Sequence, residues 1–420
     1  MGEKMSTISE KILASHSNKE KVEPGEIINA NVDIIMMHEM LGMRVIDIFN
    51  EIEVNEIKNS DKIVALLDHW IPPANIDTAI IDKNEREFVK KHGIKNWLGW
   101  NQGICHQVIP EKGFAWPGAL IVGTDSHTCT YGAFGAFSTG VGSTDAAILL
   151  ATGELWFKVP ETILFNLTGK LKPMVYGKDV ILKLISEIGV EGANYKSVEF
   201  KGSVISNLSI DSRMTISNMA IEMGAKAGIM EPDNKTLNWL KNRVKKPFKI
   251  IKSDENAIYE KKFDYDLSDL DPQVAKPHSP ENSVSVNEVE GIKIDQAFIG
   301  SCTNGRFEDL EIAAKILKNK RIHPDTRLII VPASQEIYLK ALDQGIIKIL
   351  IEAGAFLNYP SCGPCIGAYG VLAPGEVSLS SSNRNFIGRQ GSKKAKIYLA
   401  NSATVAASSI KGEITDPRSI

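Results

Sequence analysis

Two cysteines lie three residues apart in a turn whose residue types are typical of metal-binding and redox sites. Cys362 and Cys365 flank Gly363 and Pro364, and the mostly apolar run Ala353 to Tyr359 precedes them. Such a turn can aim both sulfurs at one metal centre, because its backbone curls around the bound ion. By itself, Cys-x-x-Cys leaves three chemistries open: half of a zinc site, a redox disulfide, or part of an iron–sulfur site.

The remaining cysteines narrow these choices. The chain has 420 residues and five cysteines, and the other three are Cys105, Cys129 and Cys302. An odd count without a secretory segment argues against a disulfide framework and favours a reducing, cytosolic setting. A four-cysteine zinc site would need a second Cys-x-x-Cys pair, which the sequence lacks. Gly367 and Gly370 argue against the helix that a thioredoxin-like motif would open.

Polar, titratable or thiol residues directly follow three predicted strands. In open α/β sheets, ligands bind at the carboxyl ends of the strands, so we expect a site there. The pairs are Asp68-His69 after Lys62 to Leu67, Asp125 and His127 after Gly118 to Val122, and Ser301-Cys302 after Ile294 to Ile299.

A carboxylate also interrupts an apolar segment, Met214 to Gly224, which predicts a helix. Asn218 and Glu222 are four residues apart and would share one face of that helix. A carboxylate in so apolar a segment needs a partner. An exposed glutamate on a half-buried helix is the alternative, and the spacing alone leaves both open.

The elements that must position these residues alternate short strands with helices, which predicts α/β layers. A first helix is expected over Ser6 to Ser15, another over Thr144 to Phe157, and strands over Lys196 to Ile210. The Asp-, Pro- and Ser-rich stretch Asp264 to Glu290 suits a linker or long surface connection. The length predicts two to four domains. A net charge of −3 offers no footprint for nucleic acid or an acidic membrane, and we find no apolar segment long enough to span a bilayer.

Four motifs, in the same order along the chain, closely resemble those of the aconitase family. The likeness runs from about Ser6 to the C-terminus, and within the family it looks like the separate large subunits of the isopropylmalate dehydratase and homoaconitase type. The motifs are Asp125-Ser126-His127-Thr128, Gly300-Ser301-Cys302-Thr303-Asn304, Cys362-Gly363-Pro364-Cys365-Ile366-Gly367 and Asn383-Arg384-Asn385-Phe386-x-Gly388-Arg389.

This resemblance implies a fold and a partner. It implies three α/β domains, at 1–160, 161–285 and 286–420, around a central cluster cleft, with the cluster cysteines in the last domain. A swivelling fourth domain, absent from this chain, would come from a small subunit and would supply a catalytic serine base. A hetero-oligomer is therefore expected, with no nucleic-acid or membrane partner.

The resemblance also implies site residues. Cys302, Cys362 and Cys365 would ligate a 4Fe–4S cluster whose fourth iron stays open as a Lewis acid. The implied carboxylate–histidine pairs are Asp68 with His69, Asp125 with His106, and Glu222 with His127. His69 would protonate the departing hydroxyl, since a paired carboxylate favours the imidazolium. Substrate carboxylates would be held by Arg384 and Arg389, with Asn218, Asn304 and Asn383 orienting substrate or cluster.

Five further residues are interpreted separately. Cys105 and Cys129 match no ligand position and are interpreted as buried packing thiols. Arg306 could reach substrate or cap the next helix. Family large subunits usually follow a His-Asp pair with Thr and Pro, but here Met40 to Met43 follow His38-Glu39. No substrate contact is therefore carried over to His38 or Glu39.

The expected function is a hydro-lyase that interconverts 2-isopropylmalate and 3-isopropylmalate through isopropylmaleate, in leucine biosynthesis. The alternatives are a homoaconitase large subunit, or a hydratase for a methylated diacid such as citraconate or dimethylmaleate. A cluster-free RNA-binding iron sensor is disfavoured by the negative net charge and the missing fourth domain. An electron carrier is disfavoured because carriers close all four ligand positions.

Overall fold

A computed structural model describes residues 5–54 and 56–420, which form two compact units. The first unit comprises the residues up to Trp100 together with 108–168 and 193–265, and the second comprises 101–107, 169–192 and 266–420. Each unit buries its own hydrophobic core. The predicted mixed α/β class is confirmed, whereas the boundaries of the three expected domains remain a prediction.

The strands are short, and most are buried. In chain order they are β1 (Ile27–Ala30), β2 (Ile34–His38), β3 (Ile63–Leu66), β4 (Asn96–Gly99), β5 (Leu120–Gly123), β6 (Phe137–Gly140), β7 (Leu155–Lys158), β8 (Thr162–Thr168), β9 (Ser197–Lys201), β10 (Ala227–Met230), β11 (Lys261–Asp266), β12 (Gln273–Ala275), β13 (Ser283–Ser285), β14 (Gln296–Ile299), β15 (Arg327–Ile330), β16 (Phe356–Leu357), β17 (Val377–Ser380) and β18 (Lys396–Ala400).

Helices alternate with these strands. The α-helices are α1 (Ile8–Ser15), α2 (Glu39–Glu51), α3 (Ile76–Lys91), α4 (Cys105–Glu111), α5 (Ser143–Thr152), α6 (Gly177–Ile188), α7 (Ser203–Asn207), α8 (Ile210–Asn218), α9 (Asn234–Leu240), α10 (Ser301–Asn304), α11 (Phe307–Leu317), α12 (Gln335–Asp343), α13 (Ile346–Ala353) and α14 (Ser402–Lys411). Short 3₁₀ helices cover Ser60–Lys62, Ser126–Phe134, Met219–Met223, Val286–Glu288, Gly363–Ile366 and Pro417–Ser419.

A five-stranded parallel sheet in the first unit has the order β4-β3-β2-β5-β6. The strands β2, β3 and β5 are buried along their whole length, which matches their continuous apolar sequences. Because the strands are parallel, their carboxyl ends lie at one edge of the sheet. That edge carries His38, the segment after Leu66 and the segment after Gly123, as the sequence predicts.

A second sheet of the first unit has the order β10-β9-β8-β11, with β8, β9 and β10 parallel. The α8 helix and the 3₁₀ helix Met219–Met223 precede β10. The predicted single helix over 214–224 is therefore two helices, because Asn218 ends α8. Glu222 lies in the 3₁₀ segment and is buried.

The second unit contains a seven-stranded sheet with the order β13-β12-β18-β17-β14-β15-β16. Its strands are parallel from β18 to β16, whereas β12 and β13 pair antiparallel at one edge. The carboxyl end of β14 leads into α10, and β16 leads into the cysteine turn. The strand β17 leads into the segment that contains Asn383.

Three sequence-based predictions of local structure differ from what the structure shows. The stretch 264–290, expected to be a linker or long surface connection, is not irregular throughout, because it contains the short strands β12 and β13. The helix expected over 144–157 ends at Thr152, where Gly153 at φ 84° stops it and β7 follows. The segment 196–210 contains one strand, β9, after which the chain turns into α7. Among the described residues, no helix combines the length and apolar content needed to cross a membrane.

Candidate active site

Alternating carboxylates and imidazoles form a continuous line in the first unit. Asp68 Oδ1 lies 2.5 Å from His69 Nδ1, and His69 Nε2 lies 3.9 Å from Asp125 Oδ2. On its other side, Asp125 Oδ1 lies 3.2 Å from His127 Nδ1, and His127 Nε2 lies 2.9 Å from Glu222 Oε1. The structure thus brings five predicted residues together. Glu222 is not the exposed glutamate of the alternative interpretation, because it is buried and its partner is His127.

These contacts set the protonation state of His69. Burial alone would lower the pKa of His69, but the charge of Asp68 and the hydrogen bond to it outweigh this effect and raise the pKa to about 9. The ring is therefore protonated at neutral pH, as a general acid must be before it donates. Asp125 additionally accepts a hydrogen bond from the His127 backbone N–H at 2.7 Å, which orients that imidazole.

Glu39 holds the segment that carries Asp68 and His69. Its carboxylate, fully buried at the first position of α2, accepts the backbone N–H groups of Asp68 at 3.0 Å, His69 at 2.6 Å and Trp70 at 2.6 Å. Burial and the negative charge of Asp68 raise the pKa of Glu39 to about 7. The His38 ring stacks on the His69 ring, with centroids 4.1 Å apart. Glu39 therefore positions the predicted general acid.

A second buried carboxyl packs behind Glu39. Glu85 on α3 is 1% exposed, and its Oε2 lies 3.1 Å from the position that a Cβ would occupy on Gly42 of α2. Neither of its carboxyl oxygens has a hydrogen-bond partner among the described residues. Burial raises the pKa of Glu85 well above its usual range, and Glu39 adds to this effect. The neutral form is thereby favoured, which limits repulsion of Glu39.

Three cysteines that form no disulfide are buried in the second unit. Cys302 lies in α10, and Cys362 and Cys365 bracket the start of the 3₁₀ helix in the cysteine turn. The Ser301 hydroxyl lies 3.8 Å from Cys302 Sγ and 3.7 Å from Cys365 Sγ, so the two sulfurs flank one side chain. Apolar side chains, Phe298, Ile329 and Val331, pack against Cys362 and Cys365.

Polar groups converge on the same sulfurs. Asn383 Nδ2 donates to Cys302 Sγ at 3.3 Å, and its Oδ1 lies 3.5 Å from Cys365 Sγ. An Arg389 Nη donates to Cys365 Sγ at 3.5 Å. Hydrogen bonding with Cys362 and the positive charge of Arg389 lower the pKa of Cys365 well below its usual range. Thiolate is the form that ligates metals, so this environment favours metal binding.

Arg306 is a structural residue in the second unit. Its side chain is fully buried, and it donates to the backbone carbonyls of Cys302 and Thr303 and, at 3.1 Å, to Gln107 Oε1. It also caps α11 through its backbone N–H, which donates to Asp309. These bonds fix the cysteine-bearing α10 beside the segment of His106, and a His106 ring nitrogen lies within 4.8 Å of Cys302 Sγ.

The remaining predicted site residues form contacts outside the two clusters described above. Asn218 Nδ2 donates to Thr130 Oγ1, and Cys129 Sγ donates to the Asn218 carbonyl, in keeping with a packing role for this thiol. Asn304 Nδ2 donates to Asp309. Arg384 is half-buried, with its guanidinium carbon 5.7 Å from the Phe386 ring centroid. The pairing of Asp125 with His106 remains a prediction.

Sequence reasoning missed Glu39 and Lys178. Lys178, in the first turn of α6, is fully buried, and its ammonium donates to the carbonyls of Ser381 at 2.9 Å and Ser382 at 2.5 Å. Desolvation lowers the pKa of Lys178 to about 7. In the sequence, Glu39 is a single charge next to the end of a strand, and Lys178 is a single charge in an ordinary amphipathic helix.

Comparison with known proteins assigns the chain to a protein family. The model of the aconitase family (aconitate hydratase) matches residues 10–291 and 287–412. The chain belongs to the aconitase family. An iron–sulfur centre is implied by this membership.

Relatives within the aconitase family match over essentially the whole length. The probable 3-isopropylmalate dehydratase large subunit of Methanothermobacter thermautotrophicus is 51% identical, covering 99% of each chain. The 3-isopropylmalate dehydratase large subunit of Halothermothrix orenii is likewise 51% identical over 99% of each chain. The probable methanogen homoaconitase large subunit of M. thermautotrophicus is 50% identical, covering 98% of this chain and 97% of the relative.

A solved structure is similar in fold. The holo-form of Thermococcus kodakaraensis aconitase X superposes with a TM-score of 0.50 at 12% identity, covering 90% of this chain and 89% of that one. At this identity the likeness concerns the fold alone.

The thiols of the second unit suit the iron–sulfur centre of the aconitase family. All three are buried and form no disulfide, and the sulfurs of Cys302 and Cys365 flank both Ser301 and Asn383. Hydrogen bonds to sulfur of this kind stabilise thiolate ligands and tune cluster potentials. The donor set therefore fits such a group.

Proposed function

We propose that this chain is the large subunit of 3-isopropylmalate dehydratase, a hydro-lyase that moves water across a hydroxy diacid by dehydration and rehydration. The proposal rests chiefly on the 51% identity to large subunits of that name over 99% of the chain. The line of carboxylates and imidazoles from Asp68 to Glu222 supports it, because dehydration needs an acid that can protonate a departing hydroxyl.

In this proposal, Cys302, Cys362 and Cys365 hold a 4Fe–4S centre, which supplies a Lewis acid for the substrate hydroxyl and carboxylate. His69 donates its proton to the departing hydroxyl, and Asp68 fixes its tautomer and stabilises its charge. His127 is oriented between Asp125 and Glu222, and with this pair it can relay a proton. Arg384 and Arg389 hold substrate carboxylates, although Arg389 also donates to Cys365.

The proposal includes a small-subunit partner, since the relatives are named as large subunits. That partner would bring the swivelling domain and the serine that removes the proton alpha to a substrate carboxylate. The chain alone would therefore be incomplete as an enzyme.

The test is an anaerobic assay of the reconstituted two-subunit enzyme with isopropylmaleate, cis-homoaconitate, citraconate and dimethylmaleate. Preferred hydration of isopropylmaleate, only with the small subunit present, is the expected result. Full turnover by the isolated chain would contradict the partner, and preference for another diacid would contradict the substrate.

Homoaconitase is the second candidate, because a probable methanogen homoaconitase large subunit is 50% identical over a similar length. It would be supported by preferred turnover of cis-homoaconitate in the same assay.

A further inference from the structure

The second unit contains a buried ammonium group that pairs with no carboxylate among the described residues. The Lys178 side chain is fully buried, and it forms no ion pair within 4.0 Å with a carboxylate of the described residues. Its hydrogen bonds go to the carbonyl oxygens of Ser381 and Ser382. A buried charge is costly unless an opposite charge compensates it, and carbonyl dipoles do so only in part.

The two aspartates that act electrostatically on Lys178 are engaged by other donors. Asp179 accepts from the backbone N–H groups of Tyr176 and Gln273 and from Asn401. The carboxyl of Asp309 accepts from Asn304, Arg306 and Ser402, and burial raises the pKa of Asp309 to about 7. These carboxyls act on Lys178 from a distance and do not pair with it.

The segment that Lys178 holds leads directly to the thiols. The Ser381 carbonyl also accepts from Thr303 Oγ1 at 2.8 Å, next to Cys302, and the Ser381 hydroxyl accepts from Gly300 N–H at 3.1 Å. Two residues further on, Asn383 donates to Cys302 Sγ. Negative charge on Cys365 and on Cys302 acts electrostatically on the ammonium.

We propose that Lys178 is the buried counter-charge of the iron–sulfur centre, held beside it by Ser381 and Ser382. This inference rests on the cluster of the proposed function. Three thiolates outweigh the positive charge of a 4Fe–4S core, so the assembled centre is anionic. This anionic centre supplies the paired opposite charge that Lys178 does not find among the described residues.

Two consequences follow from this pairing. The ammonium destabilises the cluster-free chain and is compensated when the cluster binds, so Lys178 strengthens cluster retention. The same charge favours the reduced, more negative state of the centre, and it therefore raises the reduction potential. A purely structural anchor for Ser381 and Ser382 would change the potential little.

The test compares Lys178→Met with Lys183→Met in the anaerobic two-subunit holoenzyme. Both lysines lie on α6, but Lys183 is on the surface and pairs with Glu187, so it is a matched control. Lys178→Met is expected to shift the reduction potential of the cluster to a more negative value. A redox titration monitored by electron paramagnetic resonance measures this shift. Lys178→Met should also lose iron to a chelator about tenfold faster than wild type, which is about 1.4 kcal/mol in barrier. Lys183→Met should match wild type in both measurements.

A Lys178→Met holoenzyme with the wild-type potential would overturn the counter-charge role. If Lys178→Met retains no cluster, Lys178→Arg decides, because it keeps the positive charge. Cluster retention by Lys178→Arg supports the proposal, and equal loss in both variants overturns it. A wild-type chain that binds no cluster would refute the cluster of the proposed function itself, which distinguishes that failure from a failure of Lys178 alone.

Discussion

Glu39 and Lys178 are buried charges of opposite sign, and each holds one backbone segment in place. Glu39 accepts three N–H groups from residues 68–70, and Lys178 donates to two carbonyls at Ser381 and Ser382. Glu39 has the cationic His69 near it in the same unit, whereas Lys178 has no ion-pair partner among the described residues. In the first unit, the positive charge of His69 therefore compensates the negative charge of Glu39. For Lys178, the proposed compensation is the bound iron–sulfur centre.

Removal of the thiol donors should have the largest effect, because it removes the group proposed to compensate Lys178 and leaves the first unit unchanged. Cys302→Ser, Cys362→Ser or Cys365→Ser should each abolish the cluster and the activity, because a serine hydroxyl replaces the thiolate ligand. Iron content and the visible spectrum of the anaerobically purified variants measure this. Cys129→Ser and Cys105→Ser are the matched controls and should keep the cluster. Cluster loss in Cys129→Ser would show that the donor set is assigned wrongly.

The pH dependence of stability tests the role of Glu39 in the first unit. The pKa of Glu39 in the folded chain, about 7, exceeds the ordinary glutamate pKa of 4.5, so the folded chain binds more protons between these pH values. Stability relative to Glu39→Gln should therefore be highest at low pH and should fall as pH rises to about 7, by on the order of 3 kcal/mol in all. Denaturation of wild type and variant over this window measures the difference.

A constant difference between wild type and Glu39→Gln across that window would contradict a titrating Glu39. The control is Glu87→Gln, which removes an exposed carboxylate of α3 that pairs with Lys83. Its stability should run parallel to that of wild type.

Glu39→Gln should also lower turnover, by about 30-fold, or about 2 kcal/mol of barrier. The amide has one acceptor oxygen in place of two and no charge, so the segment that carries His69 loses part of its support. Turnover and iron content are measured on the same anaerobic preparation. Cluster content should stay at the wild-type level, since Glu39 belongs to the first unit. Wild-type turnover would show that the segment needs no anion.

Asp125→Asn should lower turnover by about tenfold, or about 1.4 kcal/mol of barrier, with little loss of stability. The isosteric amide keeps the packing of Asp125 but removes the charge between His69 and His127. Steady-state assays and thermal unfolding provide the two measurements. A decrease below about threefold, roughly 0.7 kcal/mol, would mean that these imidazoles do not depend on Asp125.

The sequence predicted residues that lie at strand ends better than residues that act over a distance. Asp68, His69 and Asp125 follow apolar runs, and a parallel sheet brings such positions to one edge. Glu39 and Lys178 bond to backbone groups 29–31 and 203–204 residues away, and backbone groups carry no residue signature. Local patterns therefore could not reveal either one.

The same limit explains the strands missed at residues 264–290. Proline and aspartate disfavour strands locally, but β12 pairs with β18, which is more than a hundred residues later in the chain. The other neighbour of β12 is β13, the edge strand of this sheet, which needs partners on one side only, so prolines nearby are tolerated. The pairing depends on tertiary context that composition does not contain.

The three N–H groups bound by Glu39 also bear on how the chain opens. Residues 68–70 belong to neither a strand nor a helix, yet their amide hydrogens bond to a buried carboxylate. Amide hydrogen exchange in this irregular loop should therefore be slow, comparable to that of the adjacent β3. Exchange would require α2 and the loop to separate together. The loop and the start of α2 would thus behave as one cooperative unit of local unfolding.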